Sequence, residues 1–242
     1  MRNSKNLVKE IIVKDNLEIL VKYPILSLFF IGIVALLIRL TFFENDLIYF
    51  SDNLTYFKYA IDQSIAGKSS VSLLNDGWPK FVSLFFRILN SNNFLDYMNL
   101  QSYLAISIST LTIIPLYYFS KKFVGASFAL ISTIFFIFEP RIIQNSLIGV
   151  TDPLFILLVV TRLVLAIQKN KYLIIISFVI ASLSSIVRAE GLFLIPALGF
   201  MFLYQFKLSK KSIFQCIIFL LISIIILLPF SIERIENSGN DR

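Results

Sequence analysis

An all-α polytopic membrane protein, with about seven transmembrane helices and interfacial helices in a long first extracytoplasmic loop, is the fold class that the sequence predicts. Three observations predict it. Apolar residues fill 57% of the 242 positions, including 25 Phe, and the mean hydropathy is +0.81, more apolar surface than a soluble chain of this length can cover. That surface is gathered into runs close to the ~20 residues needed to cross a bilayer. Lys and Arg recur in every second connection between those runs, as the positive-inside bias requires.

The same distribution disposes of other classes. A net charge of +7 could signal nucleic acid, but the basic residues alternate with apolar runs and form no clustered patch, so their pattern is topology. Cys216 is the single cysteine and histidine is absent, which removes disulfides, zinc clusters and every His-based catalytic pair. Acid–base chemistry is left to carboxylates, Lys and Tyr.

Residues 1–22 carry Arg2, Lys5, Lys9, Lys14 and Lys22 among Leu, Val and Ile, a basic amphipathic lead-in on the cytoplasmic face. The membrane domain is expected over 23–232. Its first span runs from Tyr23 to Phe43, with Arg39, Glu44 and Asp46 at the far end. Residues 44–95 form a loop too long to be a plain connection. Leu54, Phe57, Ile61 and Ile65 share one helical face after Asp52, with Gly67 as a stop, and a second short helix begins at Pro79. Trp78, Tyr49, Tyr56 and Tyr59 are expected at headgroup level. Further spans are expected near 98–119, 123–138, 153–167, 172–187, 191–206 and 213–232, followed by a short outer tail, 233–242. Lys121 and Lys122, Lys169 and Lys171, and Lys207, Lys210 and Lys211 mark the cytoplasmic side with the N-terminus. The long loop, the 139–152 turn, the Arg188–Glu190 turn and the tail then face outward, at the cell membrane.

Asp52, Asp152, Arg141, Arg188 and Glu190 all fall on that outer side. Each has a plain structural reading. Asp52 and Asp152 can cap helices, the latter with Pro153 at N1, Arg188 and Glu190 can form a local ion pair, and Arg162 can snorkel from the fourth span to the cytoplasmic side. In combination, two carboxylates beside several arginines fit a lipid-linked phosphate substrate, since carboxylates act as base or hold a divalent cation, and arginine forks onto phosphate.

The stretches SDNLTYFKYAIDQSIAG, PLYYFSKKFVGASFALISTIFFIFEPRIIQNSLIGVTDPLFILLVVTRLVLA and IASLSSIVRAEGLFLIPAL, taken in order, resemble the N-terminal portion of the membrane-embedded GT-C glycosyltransferases. The resemblance lies with the branch of the dolichyl-phosphate-mannose mannosyltransferases and aminoarabinose transferases, and covers about Ile38 to Leu198. It implies an inverting transfer of a hexosyl or pentosyl group from a polyprenyl-phosphate donor to a protein, glycan or lipid acceptor. It further implies that Asp52 and Asp152 are catalytic and that Arg188 and Glu190, in VRAEGL, lie near the donor groove. Arg141 stands beside the donor phosphate, Tyr56 binds substrate, and a divalent metal, Mg or Mn, is the only cofactor in view.

Two departures from the pattern bear on function. Asp52 is flanked by Ser51 and Asn53 in place of a second acid. Many members also carry further spans and a C-terminal module, so a partner subunit supplying that half enters the expectation. The alternative is a non-catalytic integral protein that keeps the fold, as a carrier of lipid or lipid-linked sugar or as a partner subunit.

Overall fold

The computed structural model describes residues 22–45, 51–66, 76–89 and 91–240. Among them the chain is all-helical: α1 (Pro24–Thr41), α2 (Asp52–Ile61, continued by a π turn, Asp62–Ala66), α3 (Gly77–Phe86), α4 (Phe94–Leu111), α5 (Ile113–Ile137), α6 (Pro140–Leu147), α7 (Asp152–Ala166), α8 (Lys171–Val187), a 3₁₀ turn (Ala189–Phe193), α9 (Leu194–Phe206) and α10 (Lys210–Asn240). Of the lead-in only Lys22 is described; Gly67 and Tyr49 also lie outside the described residues.

Among the described residues, four stretches are long and apolar enough to cross a membrane: Pro24–Thr41, Phe94–Ile137, Ala189–Phe206 and Lys210–Glu233. This is the character of an α-helical membrane protein, and it corrects the expected count of seven spans. The reason is length. Helix α5 turns at Gly125, whose φ of 79° and ψ of 175° suit a residue without Cβ. The chain folds back there, because Ile113 and Ile137 both pack on Ala35, and Tyr117 joins Ala129 and Leu130 around Leu28. The returning limb, and the 15 and 17 residues of α7 and α8, are each shorter than the 18 residues of the shortest crossing stretches, Pro24–Thr41 and Ala189–Phe206, which reach about 27 Å at 1.5 Å per residue.

Two apolar cores divide the molecule. In the first, the long-loop helices pack against α4 and the facing ends of α7 and α8: Phe57, Trp78, Phe86, Tyr97, Leu154 and Val187 are buried together. Phe86 meets Phe57 and Tyr97 edge-on, with ring centres 5.9 and 5.2 Å apart, a favoured aromatic geometry. The loop helices are thus core elements, whereas the sequence places them at an interface. Tyr56 is 8% exposed and Trp78 is fully buried. The Trp78 indole N–H donates to the Gly149 carbonyl at 2.9 Å, so both its apolar body and its polar edge are satisfied inside the protein. The second core, with Ala166, Phe178, Leu198, Phe202 and Phe219, joins the other ends of α7 and α8 to α9 and α10. Its neighbour Arg162 is 2% exposed and therefore does not snorkel. Residues 233–240, expected as a tail, continue α10 as helix, and Glu233 pairs with Lys80 of α3 at 2.5 Å.

Candidate functional site

The candidate site is assembled at the first core, where the α6–α7 turn meets the end of α8. Gly149, at φ 68°, lets the chain reverse between α6 and α7. Three side chains from the first half of the sequence hold that turn: Trp78 Nε1 and Gln101 Nε2 donate to the Gly149 carbonyl at 2.9 and 2.8 Å, and Asn53 Nδ2 to the Ile148 carbonyl at 3.3 Å. A buried turn whose carbonyls are met in this way costs little to desolvate, and it fixes where Asp152 stands.

Asp152 opens α7 but does not cap it. Thr151 before it makes no side-chain capping bond, and the Asp152 carboxylate accepts from Asn145 Nδ2 at 2.8 Å and from Arg188 Nη1. Arg188 ends α8 in an extended conformation, φ −147° and ψ 136°. Its Nη2 and Nε donate to the two oxygens of Glu190 at 2.9 and 3.4 Å, and its guanidinium lies 5.6 Å over the Phe155 ring. The hydrogen bonds that Arg188 donates to Glu190, then the charges of Asp152 and Glu190, hold Arg188 above its already high ordinary pKa, against the desolvation of partial burial. It is a fixed positive charge.

Two glycines set this turn. A Cβ on Gly77 would stand 2.6 Å from the Val187 backbone nitrogen, and one on Gly191 would stand 2.6 Å from the Ser185 Cα. Only bare backbone allows α3 and the 3₁₀ turn to close on the last turn of α8.

Beneath the cluster lies Arg39, fully buried. Its guanidinium donates to Ser146 Oγ at 3.2 Å, the Ala35 carbonyl at 3.1 Å, Ser109 Oγ at 3.2 Å and the Ile137 carbonyl at 3.0 Å, which ties α1, α4, α5 and α6 together. Between Ser109 and Asp152, and also lined by Asn145 and Thr112, is a cavity of about 10 Å³, on the order of one water.

The structure brings together Asp152, Arg188 and Glu190, with Tyr56 within electrostatic reach of Arg188. Asp52 is exposed and, among the described residues, bonded only by Ser51 Oγ at 3.4 Å. It shares this end of the molecule through its neighbour Asn53, and Ser51 before it makes no side-chain capping bond. Arg141 is exposed on α6 and pairs with no described carboxylate. Sequence reasoning places Arg39, Trp78 and Asn145 at this end of the molecule without their supporting contacts, and it misses Gln101 and Ser146 and the bond from Asn53. Gln101 and Asn53 could have been singled out as amides beside apolar runs; nothing local marks Ser146.

A divalent metal does not fit these residues. Mg and Mn need several oxygen ligands, no group of three or more His, Cys, Asp or Glu stands ready for one among the described residues, and Asp152 and Glu190 are both committed to Arg188. No protein-family model matches the chain, and no curated protein matches it.

Proposed function

We propose that the chain is a membrane-embedded glycosyltransferase acting at the extracytoplasmic face, with its N-terminus cytoplasmic. The observation that carries the reading is the contrast between an ion-paired cluster, Asp152–Arg188–Glu190, and a carboxylate, Asp52, that meets only Ser51 among the described residues, at the same end of the helices. Asp52 takes the proton of an acceptor hydroxyl as that oxygen attacks the anomeric carbon of a polyprenyl-phosphate sugar. The bond from that carbon to the phosphate oxygen breaks, its electron pair leaves with the phosphate, and the positive charge of Arg188 favours the departing anion. Asp152, held by Asn145 and Arg188, orients the arginine and is not the base. A groove of about 460 Å³ between α1 and the 110–118 stretch, lined by Leu28, Phe29, Gly32, Ile33, Ile113 and Tyr118, suits a hydrocarbon tail.

The test is sugar transfer from a polyprenyl-phosphate-linked donor in membranes bearing the unaltered chain or Asp52→Asn. Loss of transfer at unchanged protein level is expected; undiminished transfer rules out Asp52 as the base. A second reading, a carrier or non-catalytic partner subunit, draws support from Arg162, a charge buried in α7 that serves neither the Arg188 cluster nor Asp52. It expects movement of lipid-linked sugar across vesicles with no transfer.

A further inference from the structure

The face of the Arg188 guanidinium is covered by Phe155, so its hydrogen bonds leave from its edges. The two edges are held differently. Nη1 meets Asp152, whose side chain is 28% exposed and braced by Asn145. Nε and Nη2 fork onto the two oxygens of Glu190, whose side chain is 59% exposed, on the one-turn segment Ala189–Phe193. A water-exposed pair of this kind contributes little because solvent screens it. The same fork matches two oxygens of a phosphate, which accepts the bonds in the same plane and, as a free phosphate or a monoester, carries more charge than a carboxylate.

We infer that the Nε/Nη2 edge of Arg188 is a receptor for a phosphate-type oxyanion, and that Glu190 is its internal stand-in, displaced when the anion arrives. The inference rests on the proposed donor site for the source of the phosphate, although the competition itself needs only the geometry of the fork. Glu190 is then a competitor that keeps the arginine paired between ligands, and its charge works against binding.

The experiment measures binding of two probes to the purified full chain in lipid nanodiscs: inorganic phosphate, and polyprenyl phosphate doped into the nanodisc lipid. Glu190→Gln is expected to tighten binding about fivefold, the upper range for an exposed ion pair, and Arg188→Gln to abolish it. Arg188→Lys, which keeps the charge but loses the fork, covers the case in which the Gln variant fails to fold, and is expected to weaken binding as well. Tightening with both probes means that the phosphate group suffices; tightening with the doped lipid alone assigns the site to a lipid headgroup. Binding by Glu190→Gln no tighter than by the unaltered chain with either probe, or binding indifferent to Arg188, overturns the inference. Sugar transfer in the same preparations separates the two ideas: transfer without tightening sinks the stand-in alone, whereas tightening without transfer sinks the transferase reading and leaves an anion site.

Discussion

Arg39 and Arg162 are both at least 98% buried by accessible surface, and they face opposite circumstances. Arg39 donates four hydrogen bonds to neutral oxygens on α1, α4, α5 and α6, so its charge is spread over a ring of dipoles at the end that carries the candidate site. Arg162, near the second core, leaves Nε and Nη1 without a partner among the described residues, as do the buried Ser177 Oγ on the neighbouring helix and the buried Tyr117 Oη. A guanidinium removed from water needs such partners. The difference is in the two arginines' surroundings, since both ends carry polar cross-links: Lys171 to Gln215 and Gln205 to the Gln168 carbonyl at the second core, Trp78 and Gln101 to the Gly149 carbonyl at the first.

The largest effect should come from breaking the satisfied arginine. Arg39→Ala removes four bonds and leaves a cavity, and we expect it to cost about 3 kcal/mol, in line with the loss of charge-assisted bonds plus cavity formation. Denaturant titration in mixed micelles measures it. A cost near zero would mean that burial of the lone charge had been cancelling its bonds, which would make the two arginines alike.

Next is Gly77→Ala. The new Cβ would meet backbone atoms of Val187, which cannot step aside as a flexible side chain can, and overpacking of this kind costs about 2 kcal/mol. Because Val187 precedes Arg188, sugar transfer should fall by more than the folded fraction does. An equal fall would leave the glycine with a purely structural role.

Arg162→Met sharpens the comparison from the other side. It removes a buried charge that makes no described hydrogen bond through Nε or Nη1 and keeps an unbranched side chain, so we expect a gain of about 1 kcal/mol or no change. A loss comparable to that of Arg39→Ala would reveal an anionic partner for Arg162.

The legibility of the molecule is divided too. Apolar runs, alternation of basic connections and helices inside the long loop were readable because each depends on local periodicity or composition. Asp152, Arg188 and Glu190 could be grouped because topology puts their turns on one side. The commitments of those side chains were not readable. Whether Asp152 caps its own helix or turns to Arg188 depends on Asn145 and on the approach of α8, and Trp78 becomes a core residue only because Gly149 presents a carbonyl to it from 71 positions away. Span length was misjudged where Gly125 folds α5 back, since an apolar run does not disclose where its helix reverses.

The smallest expected effect on stability belongs to Asp52, and it separates the two acidic residues most sharply. Asp52→Asn removes a carboxylate that is exposed and, among the described residues, bonded only to Ser51, so folding stability should change by no more than about 0.5 kcal/mol. Asp152→Asn breaks the pairing with Arg188 and should cost about 1 kcal/mol, because that pair is partly buried and braced by Asn145. Transfer should respond in a different pattern. Asn at 52 lacks the basic oxygen that would take the acceptor proton, so activity should fall by about 100-fold or more at every donor concentration. Asn at 152 leaves that oxygen in place and loosens the arginine, which raises the donor concentration needed for half-maximal rate. Should the two variants show the same kinetic signature, the division between a free base and a braced orienting carboxylate would not stand, and both acids would have to be assigned to one role.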